Sequence, residues 1–307
     1  MRRPGRTLGH LLALSRAPHA LLDVATPAVA ALLWTRGFPP TWVILLGLPT
    51  ALAGYLAVYA TNDLSDIRAD RRKMDQGLRD ATGYLDAALV RHPVAAGLLP
   101  KGAALLWAGI LAALAAVGGA LLNPACLGVF ASALFLEFLY CRLGSVTCLR
   151  ALVAGVVKTL GPVAAVYAVD RSPRLPDLAL LAAWLFLFEI GGQNIPNDWT
   201  DLAEDRRTGA RTLPLALGER AAGWVSLGAL AACVAAGLAV VARLDPPGSA
   251  WIGGLTVAAG LVLLVLPAAL LVRAPDRSRV FRLFNRASLY PAAVLAVTGV
   301  VLVVAAI

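Results

Sequence analysis

Two matched stretches hold the acidic residues whose spacing suggests chemistry. The first reads Asn62-Asp63-Leu64-Ser65-Asp66-Ile67-Arg68-Ala69-Asp70-Arg71-Arg72, and the second Asn197-Asp198-Trp199-Thr200-Asp201-Leu202-Ala203-Glu204-Asp205-Arg206-Arg207. Both fit Asn-Asp-x-x-Asp-x-x-x-Asp-Arg-Arg, with six of eleven positions alike, and each follows a long apolar run. If each continues as a helix, at about 100° per residue, then Asn62, Asp63, Asp66 and Asp70 share one arc of about 100°. Asn197, Asp198, Asp201 and Asp205 do the same, while the Arg pairs point elsewhere. Like charges one turn apart destabilise a helix, and two such faces meeting would repel further, so the pattern requires a cation. Oxygen-only ligands of this kind suit Mg²⁺, with Mn²⁺ as the alternative, because Mg²⁺ takes a few carboxylates and fills its shell with phosphate oxygens and water. Solvated charge at a helix end would explain one such stretch, but not a matched pair in equivalent places.

Carboxylates, a divalent cation and nearby basic side chains are the parts an allylic diphosphate needs in order to ionise. The cation neutralises charge developing on the leaving pyrophosphate, and basic side chains add to that effect. Lys73 falls on the Asp face of the first stretch if the helix runs on, and Arg16 opens the first apolar run from the same side. An apolar tail could then lie within a bundle or between helices towards lipid.

The elements that must position these groups are membrane helices. Of 307 residues, 59% are hydrophobic and 15% charged, against about 25% charged in a soluble domain. Nine apolar segments are long enough to cross a bilayer: Pro18–Trp34, Thr41–Thr61, Gly102–Leu122, Pro124–Cys141, Thr147–Val169, Asp177–Ile195, Ala221–Ala242, Ala250–Val272 and Phe284–Ile307. The reading is all-α, a polytopic bundle in a single domain over residues 1–307, because only internally paired helices satisfy the backbone in lipid. The net charge of +9 comes without the basic stripe and interleaved aromatics of a nucleic-acid binder. Basic residues concentrate before the first segment, after the even-numbered segments and before the ninth, whereas Arg36, Arg171, Arg174 and Arg243 alone fall on the other side. That asymmetry predicts a cytoplasmic N-terminus and cytoplasmic Asp-rich stretches, with the C-terminus outside. Arg2, Arg3 and Arg6, with no small-residue cleavage site, read as a cytoplasmic tail.

The pattern resembles the UbiA superfamily of intramembrane prenyltransferases, whose members are nine-helix bundles with Asp-rich motifs after the second and sixth spans. The family's Asn-x-x-x-Asp-x-x-x-Asp corresponds to Asn62, Asp66 and Asp70, and its Asp-x-x-x-Asp to Asp201 and Asp205, with Asn197 and Asp198 fitting the longer form. Asp205-Arg206-Arg207-Thr208-Gly209-Ala210-Arg211-Thr212-Leu213-Pro214 is similar to the family's Asp-Arg-x-x-Gly-x-x-Thr-Leu-Pro. Arg91-His92-Pro93-Val94-Ala95-Ala96-Gly97 is similar to its Arg-Pro-x-x-x-Gly loop with His92 inserted, and Ser15-Arg16-Ala17-Pro18-His19 to its lead-in to the first helix. The resemblance implies metal ligands Asn62, Asp66, Asp70, Asp201 and Asp205. It also implies diphosphate or acceptor contacts from Asp63, Lys73, Arg16, Asn194, Asn197, Asp198, Tyr140 and Arg211. One departure stands out: many members have Tyr-x-x-x-Lys, but Tyr140 is followed at that spacing by Gly144, so Arg142, Arg150 or Lys158 would have to supply the cation.

Other residues carry weaker signals. Lys158 lies about eleven residues into its segment. That is deep for snorkelling, so it reads as catalytic, since intramembrane charges default to function. Glu137, Glu189 and Asp23 are further intramembrane acids; Asp23 either partners one of these residues, Lys158 included, or faces a wet cavity, and Asn194 projects onto the Asp face one turn deeper, where an acceptor could sit. Pro196 is a candidate kink. The four cysteines lack metal-ligand spacing and read as buried hydrophobes, and His10, His19 and His92 are dispersed and do not suggest zinc. Trp34, Trp42, Trp184 and Trp251 read as interfacial anchors.

The leading expectation is transfer of a prenyl group from an isoprenoid diphosphate to a small aromatic, quinone-type acceptor. A terpene cyclase of the same superfamily needs the same ionisation and is the alternative. A transporter or lipid-binding protein ranks last, because the repeated motif lies at the boundary of two parallel crossings, not at broken midplane helices.

Overall fold

The computed structural model describes residues 4–75 and 89–307, without the side chains of residues 4–6, Ala69, Lys73 and Asp75. The side chain of Lys73, expected on the Asp face, thus lies outside the described residues. Among the described residues the secondary structure is helical throughout, with no strand. Nine helical segments among the described residues are long and apolar enough to cross a membrane: span 1 Ala17–Thr35, span 2 Thr41–Arg68, span 3 Lys101–Leu122, span 4 Pro124–Arg142, span 5 Arg150–Val169, span 6 Leu175–Thr200, span 7 Glu219–Leu244, span 8 Ser249–Arg273 and span 9 Arg277–Ala305. The protein is an integral, multi-pass membrane protein. Large apolar side chains such as Leu45, Leu106, Phe135 and Val304 are exposed on the outside of the bundle, where lipid tails would cover them.

Consecutive spans are neighbours, span 9 returns to pack on span 1, and span 1 also crosses to span 5. The ring encloses two unequal packing regions. A large core joins spans 1 and 5–9 around Trp184, Phe188, Leu230 and Tyr290. Two smaller clusters join spans 1–3 and the loop before span 3. Trp184 corrects an expectation: it is fully buried, nine residues into span 6, with Nε1 donating to the Tyr290 hydroxyl at 3.3 Å, so it is a core residue and not an interfacial anchor.

Span 1 is interrupted at Val24. Pro27 has no N–H to give to the Asp23 carbonyl, as proline requires, and Thr26 Oγ1 donates to that carbonyl at 2.9 Å in its place. Span 9 starts earlier than its apolar run, at Arg277, because Asp276 caps it by accepting from the Arg279 N–H at 2.9 Å.

The two stretches that carry the acidic pattern fold differently. The first continues span 2 as one helix, Thr41–Asp75. The second is broken. An α-helix ends at Phe188, a π-helical turn covers Glu189–Asn194, α-helix resumes over Ile195–Thr200, and after a break at Asp201 it runs from Leu202 to Thr208. Pro196 explains the π turn: its ring would strike the carbonyl four residues back and it offers no N–H, and widening the turn relieves both. The widened turn is packed tightly. The Gly191 carbonyl accepts from Ser226 Oγ at 2.5 Å, and a Cβ on Gly191 would lie 2.8 Å from the Ser226 carbonyl oxygen.

Candidate active site

Spans 2 and 6 face each other across one cavity of about 610 Å³. Span 2 and its helical continuation contribute Tyr55, Tyr59, Asn62, Asp63, Asp66 and Asp70; apart from the adjacent Asn62 and Asp63 they are three or four residues apart, so they form one helical stripe. Span 6 contributes Glu189, Gln193, Asn194, Asn197 and Asp198, and its continuation adds Asp201 and Asp205. The break at Asp201 does not turn the later carboxylates away. Asp63, Asp70, Asp198 and Asp205 are all buried, and Asp66 and Asp201 are partly exposed.

Basic side chains bracket these acids. Arg150, at the start of span 5, places one guanidinium nitrogen 3.3 Å from Asp198 Oδ1 and lies over the Tyr140 ring at 4.9 Å. A Cβ on Gly144 would sit 3.3 Å from another of its nitrogens, so Arg150 reaches the side of the helix turn where the missing lysine would stand. Arg91 reaches Asp201 at 3.4 Å, tying the loop before span 3 to the second stretch. Arg16, in a left-handed conformation (φ 43°), lies over the Tyr59 ring at 5.8 Å and lines the cavity. Asn62 donates to Glu137 at 2.6 Å. Arg211 lies elsewhere: its N–H donates to the Gly144 carbonyl at 2.9 Å, and its side chain is exposed and does not line the cavity.

Lys158, expected as catalytic, is paired one turn deeper than the carboxylates. Its Nζ is 2.6 Å from Asp23, 3.1 Å from the Tyr59 hydroxyl and 3.8 Å from Glu189. The Tyr59 hydroxyl donates to the same Asp23 oxygen at 2.5 Å. This cluster holds a lysine inside the membrane because the neighbouring carboxylates offset its desolvation. Asn194 lines the cavity with a buried side-chain oxygen that has no hydrogen-bond partner.

Sequence reasoning did not find His92. Its Nδ1 is 2.7 Å from Asp63 and 2.8 Å from Asp70. Burial by itself lowers the imidazole's affinity for a proton, but hydrogen bonds and charge from these two aspartates outweigh burial and hold it above the usual histidine range. The one available signal was the histidine inserted in Arg91-His92-Pro93.

Below the acids the cavity turns apolar. Small residues on spans 2, 3, 4 and 5, among them Gly47, Gly54, Gly119, Ala133 and Ala165, line it as far as Phe38 and Leu122 at the opposite end of the bundle. One end can therefore hold a highly charged, metal-bound anion and the other a hydrocarbon chain. The donors fit Mg²⁺: they are carboxylate oxygens, some partly exposed, and Asp63 Oδ2 is buried without a hydrogen-bond partner.

The sequence profile of the UbiA prenyltransferase family matches residues 24–290. No curated protein sequence gives a significant match. Among solved structures, the chain is similar to an apo UbiA homologue from Aeropyrum pernix K1, with a TM-score of 0.72, 21% identity and coverage of 91% of this chain and 97% of that one. It is similar to a digeranylgeranylglyceryl phosphate synthase, with a TM-score of 0.68, 16% identity and coverage of 97% and 99%. It is also similar to a UbiA homologue from Archaeoglobus fulgidus bound to GPP and Mg²⁺, with a TM-score of 0.67, 17% identity and coverage of 94% and 99%. At these identities the likeness establishes the fold.

Proposed function

The chain belongs to the UbiA prenyltransferase family, and from that premise we propose that it transfers a prenyl group from an isoprenoid diphosphate to a small aromatic, quinone-type acceptor, with Mg²⁺ (or Mn²⁺) and release of pyrophosphate. The observation that carries this reading is the shared cavity: both acidic stretches line one end and small apolar residues line the rest. The GPP and Mg²⁺ bound by the Archaeoglobus homologue support the same substrate class here. When bound, the metal neutralises charge developing on the leaving pyrophosphate. In this reading Asn62, Asp66, Asp70, Asp201 and Asp205 hold it.

Arg150, fixed between the Tyr140 ring and Asp198, takes the cationic role of the absent lysine, and Arg91 and Arg16 add positive charge around the diphosphate. Such fixed cations stabilise the leaving anion without reorganising as it forms. Asn194 and Glu189 lie deeper on the cavity wall, where the acceptor's polar groups would reach them. Lys158, held by Asp23 and Tyr59, positions this wall rather than the diphosphate.

Purified protein incubated with a panel of prenyl diphosphates, with and without aromatic acids, tests the proposal. Pyrophosphate release that requires Mg²⁺, with a prenylated product that requires the acceptor, is the expected result. A cyclised product from the diphosphate alone would replace the transferase reading with the cyclase one. The asymmetry of basic residues supports a cytoplasmic site: cysteines placed at Ser65 and Gly209 should resist an impermeant reagent in sealed cells, and ready labelling would reverse the orientation.

A further inference from the structure

Glu137 is a buried acid on the cavity wall, 7% exposed, near the end of span 4. Taking a carboxylate out of water is costly unless it gains a specific partner. The partner here is the Asn62 side chain, whose Nδ2 donates to Glu137 Oε1 at 2.6 Å. The same nitrogen lies 3.6 Å from Cys141 Sγ, about one helical turn further along span 4. Two acceptors on one helix thus take the nitrogen end of the Asn62 amide. Tyr140, in the same turn, carries the Arg150 guanidinium over its ring at 4.9 Å. A few residues of span 4 therefore touch a side chain of each wall.

An asparagine amide has a donating end and an accepting end of nearly the same shape, and its neighbours decide which end faces which way. A carboxylate only accepts, so it bonds the nitrogen and rejects the oxygen. A glutamine in the same place would bond either end, and an apolar side chain neither. Asn62 lines the cavity one turn before Asp66. With Nδ2 held against span 4, Oδ1 is the end of the amide left for the cavity.

We infer that Glu137 is a positioning residue for the diphosphate site: it orients the Asn62 amide so that the carbonyl oxygen, and not the NH₂ group, faces the metal. An NH₂ group in that place would present its hydrogens to a cation and remove one ligand from the first wall. The inference rests on reading Asn62 as a metal ligand of the prenyl-transfer site, but its test does not depend on turnover. A partner that fixes a ligand's orientation is typically worth about ten- to a hundredfold in metal affinity.

The readout is the Mg²⁺-dependent gain in affinity for a non-ionisable prenyl thiodiphosphate, measured by calorimetry on the full-length protein in detergent. Glu137→Gln keeps the reach of the side chain and a hydrogen bond to Asn62, but accepts either end of the amide. The gain should fall by about tenfold, while affinity without Mg²⁺ and thermal stability stay near wild type. A mere tie between spans 2 and 4 predicts no loss in this variant. Glu137→Asp separates orientation from charge, because it keeps the negative charge but falls short of Asn62 by one carbon–carbon bond. It should lower the gain by a similar factor. A full gain in either variant would overturn the inference and leave the prenyl-transfer reading intact. So would an equal loss of affinity with and without Mg²⁺. No Mg²⁺-dependent gain in wild type would remove both.

Discussion

Spans 2 and 6 bring the same pattern of carboxylates into one cavity by different means. Span 2 does it with a single helix from Thr41 to Asp75, packed in small clusters, and its carboxylates are held from outside by His92. Span 6 does it with a helix broken by a π turn and by Asp201, embedded in the main core and braced by Arg150 and Arg91. Thr61 precedes the first pattern where Pro196 precedes the second. Pro196 forces a distortion in the second wall, which packing against span 7 shapes into a widened turn, while the first wall keeps a regular stripe. Similar function at a boundary therefore constrains where the acids point, and leaves open how the backbone gets them there.

The strongest test of the comparison is removal of the carboxylates on either wall. Asp66→Ala, Asp70→Ala, Asp201→Ala and Asp205→Ala should each lower pyrophosphate release by at least about a hundredfold, with the protein still monodisperse. The loss should appear in turnover, since the interaction strengthens with the leaving group. If variants on one wall stay near the wild-type rate, the walls are not equivalent in the chemistry.

A smaller effect is expected from the backbone. Pro196→Ala removes the reason for the π turn, and if the turn relaxes to α-helix, Glu189–Asn194 rotates by roughly 100° relative to the acids that follow. Turnover with acceptor should fall while acceptor-independent hydrolysis of the diphosphate falls less. Pro49→Ala, in the continuous helix of span 2, should leave both close to wild type. Equal effects of the two proline variants would remove the contrast between the walls.

The smallest effect should come from Arg72→Ala and Arg207→Ala. Both side chains are exposed, so stability should change by no more than about 0.5 kcal/mol and turnover should stay near wild type. Loss of turnover in these variants, with the aspartate variants active, would make the Arg pairs the phosphate clamp.

The bundle was legible because long apolar runs report membrane helices directly. The ends moved where a cap or an amphipathic continuation added turns, as at Asp276 for span 9 and beyond Thr61 for span 2. The acidic faces were legible because the pattern occurs twice. What sequence could not supply was contact between distant segments. Lys158 and Asp23 are 135 positions apart, and His92 arrives on an irregular loop with no periodicity to project. Pro196 signalled a distortion, but whether the helix would kink or widen depended on Ser226 and Leu230 of span 7, which pack against the turn.

The central claim is that both walls hold one diphosphate. Calorimetric titration with a non-ionisable prenyl thiodiphosphate measures this most directly. Wild type should bind one equivalent with affinity that rises on adding Mg²⁺, and Asp66→Asn and Asp201→Asn should each abolish that Mg²⁺-dependent gain. If either variant keeps the full gain, the diphosphate is held by one wall alone and the account is wrong.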